Sequence, residues 1–441
     1  MQRSNPFWLA YQCRLMIFIG LVFLALSTQA VTLEDAIESA IKVDPSLRAS
    51  KFNVMATEEN IAIARSRLLP QVSIQGSSNQ LTQTTTQELA SGGSSSRSFS
   101  GPSVNHQFVI RQALLRPKEL SALRYAELQT QYMELKYKSD VKDLRIRVIN
   151  AWIDLLGAQQ IVQAYEKPLP LMQAAAQQER ARYEQGDSTK DAAMEAKAQY
   201  ENLKATYIQA VETLKVKQSS FENVTKIPAA ALVGKKLSTE SLPVFSVADK
   251  GLLWSKFQET SLELQMAKFQ QKMQLERLKM AEADHKPTID LLAAVNLAQN
   301  DATSTQGYQY RNKQIGVQYT VPLFAGGGFT ASARQASLGY QASLAEGDAL
   351  FVRLTNEFDI AWALMLSNLS RQSAMHVSLT SGLEQVNASY RGLELGVKSV
   401  ADTANAELAF ARKMNDYISL TQEYVRSILK ISSKASINDH L

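Results

Sequence analysis

The chain has 441 residues, enough for several domains or one elongated body, and only 20% of them are charged. A formal net charge of +5 without a clustered basic face gives no support to nucleic-acid binding. A single cysteine excludes an internal disulfide framework.

Arg3 and Arg14 flank a leader whose apolar run, Leu15 to Leu26, is followed by Thr28-Gln29-Ala30, a small-x-small cleavage site. This is the pattern of a secretory signal over residues 1–30. The run is about 12 residues, short of the ~20 a spanning helix needs. Cleavage after Ala30 removes both arginines and Cys13, so the formal charge falls from +5 to +3 and the mature chain has no cysteine. Cys13 precedes the apolar run and so cannot become a lipid-bearing first residue. No later stretch approaches 18 apolar residues, so any entry into a membrane must be as β-strands.

In chain order, residues 31–225 read as a first repeat. Helical patterns over Thr32–Val43 and Pro45–Leu69 lead to strands at about 70–82 and 103–115, joined by a loop (83–102) dense in Ser, Thr and Gly. A long helical region from Arg116 to Gln185 follows, with a break expected at Pro168 and Pro170, because an interior proline removes a backbone bond and clashes with the preceding turn. A return helix covers Ser188–Asn223. Residues 226–248, punctuated by Pro228, Gly234 and Pro243, read as an irregular connector between the halves.

Residues 249–431 repeat the series. Helices at Lys250–Gln258 and Ser261–Lys286 precede strands at about 287–299 and 313–324, and long helices follow over Gly328–Leu395 and Ala401–Ile431. Period-2 alternation places Ile289, Leu291, Ala293, Val295 and Leu297 on one face, with Ile315, Val317, Tyr319, Val321 and Leu323 alternating in the partner strand. Residues 432–441 form a C-terminal tail. A helix of about 70 residues would reach ~100 Å, a periplasm-spanning length.

Four strands cannot close a membrane barrel, which needs about eight, and an open sheet in lipid leaves its edge groups unsatisfied. If the strands enter a membrane, several chains must share one barrel. His106, His285, His376 and His440 are scattered, with no metal-ligand spacing and no partnered nucleophile, so catalytic, metal and cofactor sites are all read as none. Gly326-Gly327-Gly328 lacks the Lys-Ser/Thr of a phosphate loop and reads as a strand-to-helix hinge.

Several strings, in the same order twice through, resemble the TolC family of outer membrane factors. They are Leu33-Glu-Asp-Ala36 with Asp44-Pro45-Ser46-Leu47, Ala64-Arg-Ser-Arg-Leu-Leu-Pro70, Arg182-Tyr183-Glu-Gln-Gly186, and Val321-Pro322-Leu323-Phe324 with Gly326-Gly327-Gly328. The resemblance implies an α+β membrane protein: a homotrimer with a twelve-stranded β-barrel, four strands per chain, set in outer-membrane lipid. An α-helical coiled-coil barrel would continue it through the periplasm, with an internal two-fold repeat and residues 226–248 as an equatorial connector. It implies an export channel, not an enzyme, working with a periplasmic adaptor protein and an inner-membrane ABC or other transporter. Ile110-Arg-Gln-Ala-Leu-Leu-Arg-Pro117 is similar to a string of channels serving type I protein secretion. A multidrug-efflux channel is the alternative, and a structural coiled-coil protein of the cell surface a further one.

The resemblance places the periplasmic tips at 185–191 and 396–402. It implies a gate and constriction from Asp191, Lys398, Asp402 and Asn405, with Asp191 as acceptor for Lys398 and Asp402 as the ring acid. Tyr183, Gly186, Leu393 and Gly396 are implied as adaptor-docking positions. Leu393 stands where the family has a tyrosine, Asn405 where it has a second acid, and the first tip is one residue shorter between glycine and aspartate. The other reading makes Lys190, Lys398, Asp191 and Asp402 solvated loop charges, each exposed pair worth roughly 0–1 kcal/mol, and the four docking positions helix caps and core.

Overall fold

The computed structural model describes residues 31–232, 249–300 and 308–435. The expected signal (1–30), most of the connector and the last residues of the tail lie outside the described residues. Helices α1 (Leu33–Val43) and α2 (Pro45–Ser66) lead into strands β1 (Gln71–Glu88) and β2 (Ser94–Leu115). Helices α3 (Pro117–Glu166), α4 (Pro168–Gln185) and α5 (Lys190–Thr225) follow, then a 3-10 turn at Ala229–Leu232. The same order recurs as α6 (Asp249–Thr260), α7 (Leu262–Ala283), β3 (Thr288–Asn300), β4 (Tyr308–Thr320), α8 (Gly328–Glu394) and α9 (Val400–Ala435). Among the described residues no helix is long and apolar enough to cross a membrane.

The chain divides into two compact units. Of the described residues, one holds 49–139, 258–300 and 308–356, and therefore all four strands. Its four strands form an antiparallel meander in the order β1-β2-β3-β4. β2 and β3 pair directly, stitching the two repeats together, with a bulge between Ala113 and Leu115. The registers bring Val72, Ile110, Ala293 and Ile315 into one row, and Ile74, Phe108, Val295 and Lys313 into the next. Alternation then puts these apolar residues on one face, and on the other Gln71, Ser73, Gln75, Gln107, Asn296, Asn312 and Gln314 together with Val109, Leu292 and Ala294. Among the described residues nothing covers that apolar face: Ile74 is 76% and Ile315 78% exposed.

β1 and β2 run well beyond the ranges expected from sequence, because the Ser/Thr-rich stretch between them zips into strand. Hydroxyl pairs hold it: Thr82 with Ser100 at 3.0 Å, Thr84 with Ser98 at 3.1 Å and Thr86 with Ser96 at 3.3 Å. Gly92, at φ +83°, closes the hairpin. At the helical end of the sheet, Arg116 forks onto Asp290, its Nε donating to Oδ1 at 2.9 Å. Gln112 donates to the Leu68 carbonyl at 2.8 Å, tying β2 to the segment that enters β1.

Of the described residues, the other unit holds 31–48, 140–232, 249–257 and 357–435. One apolar cluster gathers Leu253, Phe358, Trp362, Met365, Tyr424, Ile428 and Ile431 from α6, α8 and α9. A second joins Tyr165, Met172, Leu203, Ala404 and Ala411 from α3, α4, α5 and α9. Asp154 accepts from both Lys217, at 2.7 Å, and Arg426, linking α3 to α5 and α9. The helical run of the first repeat stops at Glu166 and restarts at Pro168, because proline has no N–H to give and suits the first helical position. Its counterpart α8 is unbroken over 67 residues.

Candidate functional site

The two helix-to-helix turns both belong to the second of these units and carry all the residues singled out from sequence. Each is a Schellman motif with glycine in the left-handed region, Gly186 at φ +86° and Gly396 at φ +71°. In the first turn Gly186 N–H donates to the Tyr183 carbonyl at 3.0 Å and Asp187 N–H to that of Arg182 at 2.8 Å. In the second, Gly396 N–H donates to Leu393 at 3.1 Å and Val397 N–H to Gly392 at 2.9 Å. Tyr183 and Leu393 thus occupy the same position in the two motifs, Tyr183 exposed and Leu393 half-buried.

A hydroxyl N-cap opens the next helix three residues after each glycine. Thr189 Oγ1 accepts from Ala192 N–H at 3.2 Å. Ser399 Oγ accepts from Asp402 N–H at 3.1 Å, while the Asp402 carboxylate takes the Ser399 N–H at 2.9 Å and hydroxyl at 2.8 Å, completing a capping box. The turns are therefore of equal length, and the apparent one-residue shortening has a simple cause. Asp191 is the second residue of its helix and Asp402 the third, so Asp402 reaches the cap and Asp191 does not. The Ser399 N–H and then its hydroxyl, joined by the Lys398 charge, hold the Asp402 carboxyl below the usual carboxylate range.

A side-chain tie spans each turn between matching positions, two residues after the glycine and seven before it. In the first turn Ser188 donates to Glu179, which also pairs with Arg182 at 3.2 Å. In the second, Lys398 Nζ donates to Ser389 Oγ at 3.3 Å. Ser389 is fully buried, and its carbonyl accepts from Thr403 at 3.4 Å. The stem of Lys398 lies across Gly392, where an added Cβ would sit 2.9 Å from Cγ. Asp191 and Asn405 are exposed, and within the chain Lys398 bonds to Ser389 rather than Asp191. Sequence reasoning missed Glu179, Ser389 and the cap role of Ser399. For Ser399 a signal existed, since Ser-x-x-Asp is the capping-box spelling.

Among the described residues no group of three or more His, Cys, Asp or Glu is placed to hold a metal ion.

The chain matches the family described as outer membrane efflux protein over residues 36–222 and 253–433. It is 24% identical over 390 residues to the proteases secretion protein PrtF of Dickeya chrysanthemi, covering 86% of this chain and 83% of that one. It is 22% identical over 430 residues to the outer membrane protein TolC of Vibrio cholerae, covering 95% and 93%. Among solved structures, the outer membrane protein VceC of Vibrio cholerae superimposes with a TM-score of 0.72 at 14% identity, over 91% of this chain and 96% of that one. Both repeats thus lie within one family, and the chain belongs to the outer membrane efflux proteins, export channels of the outer membrane with a barrel-and-helical-tunnel fold.

Proposed function

We propose that three copies of this chain form a twelve-stranded barrel in the outer membrane, continued by a helical tunnel, as the exit duct of a type I protein secretion system. The single observation that carries the shared barrel is the four-stranded sheet itself. One face is apolar and uncovered, and the outer edges of β1 and β4 have no strand partner within the described residues. In lipid, such edges are satisfied only by another strand. A periplasmic adaptor and an inner-membrane transporter supply substrate and energy, while the chain provides a path and catalyses nothing.

Protein secretion is favoured over drug efflux by the likeness to PrtF, a secretion protein by name, and by the string Ile110–Pro117. Arg116 and Gln112 of that string also have structural work at the foot of the sheet, so the string alone does not name a substrate. Disrupting the gene tests the choice. Loss of one or more proteins from the culture medium with unchanged drug susceptibility supports secretion. Drug hypersensitivity with an unaltered secreted set replaces it with efflux.

The turns around Gly186 and Gly396 are proposed as the periplasmic tip, with Tyr183, Gly186, Leu393 and Gly396 facing the adaptor. Asp191, Lys398, Asp402 and Asn405 line the constriction, the Lys398–Asp191 contact forming between copies. Single-channel conductance in planar bilayers tests the gate. Small wild-type conductance that rises in Lys398→Ala/Asp402→Ala supports it; conductance unchanged by the pair keeps the duct and discards the gate.

A further inference from the structure

On the apolar face of the sheet, small Ala293 leaves a groove of about 240 Å³ between Phe108 and Ile110 on one side and Ile315 on the other, with Val295 along its floor and Lys313 at its end. That is larger than the roughly 150 Å³ apolar cavity that takes up benzene. The same face of β4 changes character at Lys313. Tyr319, Val317 and Ile315 give way to Lys313 and then Arg311, which register opposite Val295 and Leu297. The two cations point to one face, about 7 Å apart along the strand. Both are exposed, and neither has a hydrogen bond or ion pair among the described residues. His106 shares the row of Arg311. Among the described residues of the four strands there are two acids, and neither competes: Asp290 is on the opposite face bonded to Arg116, and Glu88 sits at the far hairpin end.

A lipid-facing Lys or Arg costs up to about 2–4 kcal/mol at mid-bilayer but little at headgroup depth. Two cations with no partner among the described residues, ending an otherwise apolar stripe, therefore mark where hydrocarbon stops and anionic headgroups begin. They lie at the end of the sheet away from its helices, and hence toward the cell exterior. We propose that this groove and its cationic rim form a binding site for an outer-leaflet lipid whose phosphate groups leave it with a net negative charge. One acyl chain lies over Ala293, and Lys313 and Arg311 grip the headgroup phosphate. The inference rests on the barrel reading, which makes the apolar face the lipid-facing one.

The test is native mass spectrometry of the detergent-purified full-length oligomer, titrated with diphosphoryl lipid A. Phosphatidylcholine, whose phosphate is neutralised by its own choline cation, serves as the acyl-chain control, and inorganic phosphate as a headgroup-only competitor. At about 1 kcal/mol per basic residue near an anionic lipid, Arg311→Gln/Lys313→Gln should weaken lipid A binding about 30-fold and leave phosphatidylcholine binding unchanged. Ala293→Phe, which fills the groove and suits a strand, should weaken both lipids. Arg111→Gln, a cation lost from the opposite face, should weaken neither. Equal losses in the rim and Arg111 variants overturn the site, as does binding that the rim variants leave intact. Lipid A displaced fully by millimolar inorganic phosphate shows a phosphate site without the acyl groove and also overturns it. Wild type that never yields a heat-resistant oligomer defeats the barrel reading and this site with it, whereas intact oligomers that bind both lipids alike defeat the site alone.

Discussion

The Gly186 turn and the Gly396 turn share a backbone and differ in side chains. Both reverse the chain through a Schellman motif and reopen it with a hydroxyl cap three residues on. The first is tied by a half-buried carboxylate, Glu179, gripping Ser188 and Arg182. The second is tied by an ammonium, Lys398, reaching back to buried Ser389. The residues flanking the glycines diverge as well. Gln185 and Asp187 border the first, whereas Leu395 (77% exposed) and Val397 (76% exposed) border the second. Duplication preserved what the backbone demands and left the surface free to change. The two turns therefore present one polar and one apolar surface.

The largest expected effect is common to both turns. Gly186→Ala and Gly396→Ala each place a Cβ at positive φ, where left-handed backbone costs about 1–2 kcal/mol. Nothing lies within 4 Å of either added Cβ, so strain is the whole effect and the two losses should match. Hydrogen exchange of the Asp187 and Val397 amides, the donors that close each motif, reads it. A loss at one turn only would show that the shared backbone does not carry the shared stability.

The caps come next and should begin to separate the turns. Removing a hydroxyl cap typically costs about 1 kcal/mol. Thr189→Ala frees one amide, that of Ala192, whereas Ser399→Ala frees the Asp402 amide and also removes a donor from its carboxylate. Ser399→Ala should therefore open its turn more than Thr189→Ala does, as read from exchange at Asp402 and Ala192. Equal opening would mean that the reciprocal half of the box contributes nothing.

A smaller change isolates the tie. Gly392→Ala brings a Cβ within 2.9 Å of Lys398 Cγ. The lysine stem is flexible enough to yield, and alanine is the better helix former by up to about 1 kcal/mol, so the fold should hold. The cost falls on position, because the ammonium leaves Ser389. Conductance should rise, as expected for Lys398→Ala/Asp402→Ala, while the Gly396 amides keep their protection. The matching position of the first turn is Arg182, so no equivalent variant exists there.

Much of this was readable in advance. The duplicated order of helices and strands followed from periodicity, the break before Pro168 from the chemistry of proline, and the turns from their glycines. The long β1–β2 hairpin was not, because Thr82–Thr86 and Ser94–Ser100 spell a polar loop, and only cross-strand pairing turns their hydroxyls into a ladder. The ties were hidden for a different reason. Ser389 and Glu179 sit two helical turns upstream of their glycines, and nothing local marks a serine or glutamate there as the anchor of a loop. The glycine-to-aspartate spacing also suggested unequal turns, when the fixed distance is from glycine to the capping hydroxyl.

The smallest effect concerns pH and belongs to the Gly396 turn. The folded Asp402 carboxyl is held below its ordinary value by the two donors of Ser399 and the charge of Lys398. A depressed carboxylate contributes stability that is present above its unfolded pKa, about 3.9, and is lost as pH falls through the lower folded value. Acidification through that range should therefore loosen the Gly396 turn by undoing the capping box. The Asp402 carboxylate lies at the surface, so added salt should weaken the Lys398 share while sparing the short hydrogen bonds to Ser399. Exchange at the Ser399 amide, the backbone donor to the carboxylate, reads this, compared above and below that range with Asp402→Asn at each pH. The variant should be insensitive to the change. If wild type and Asp402→Asn respond alike, the carboxylate is a bystander at the turn, and the difference between the two turns reduces to the Lys398–Ser389 tie.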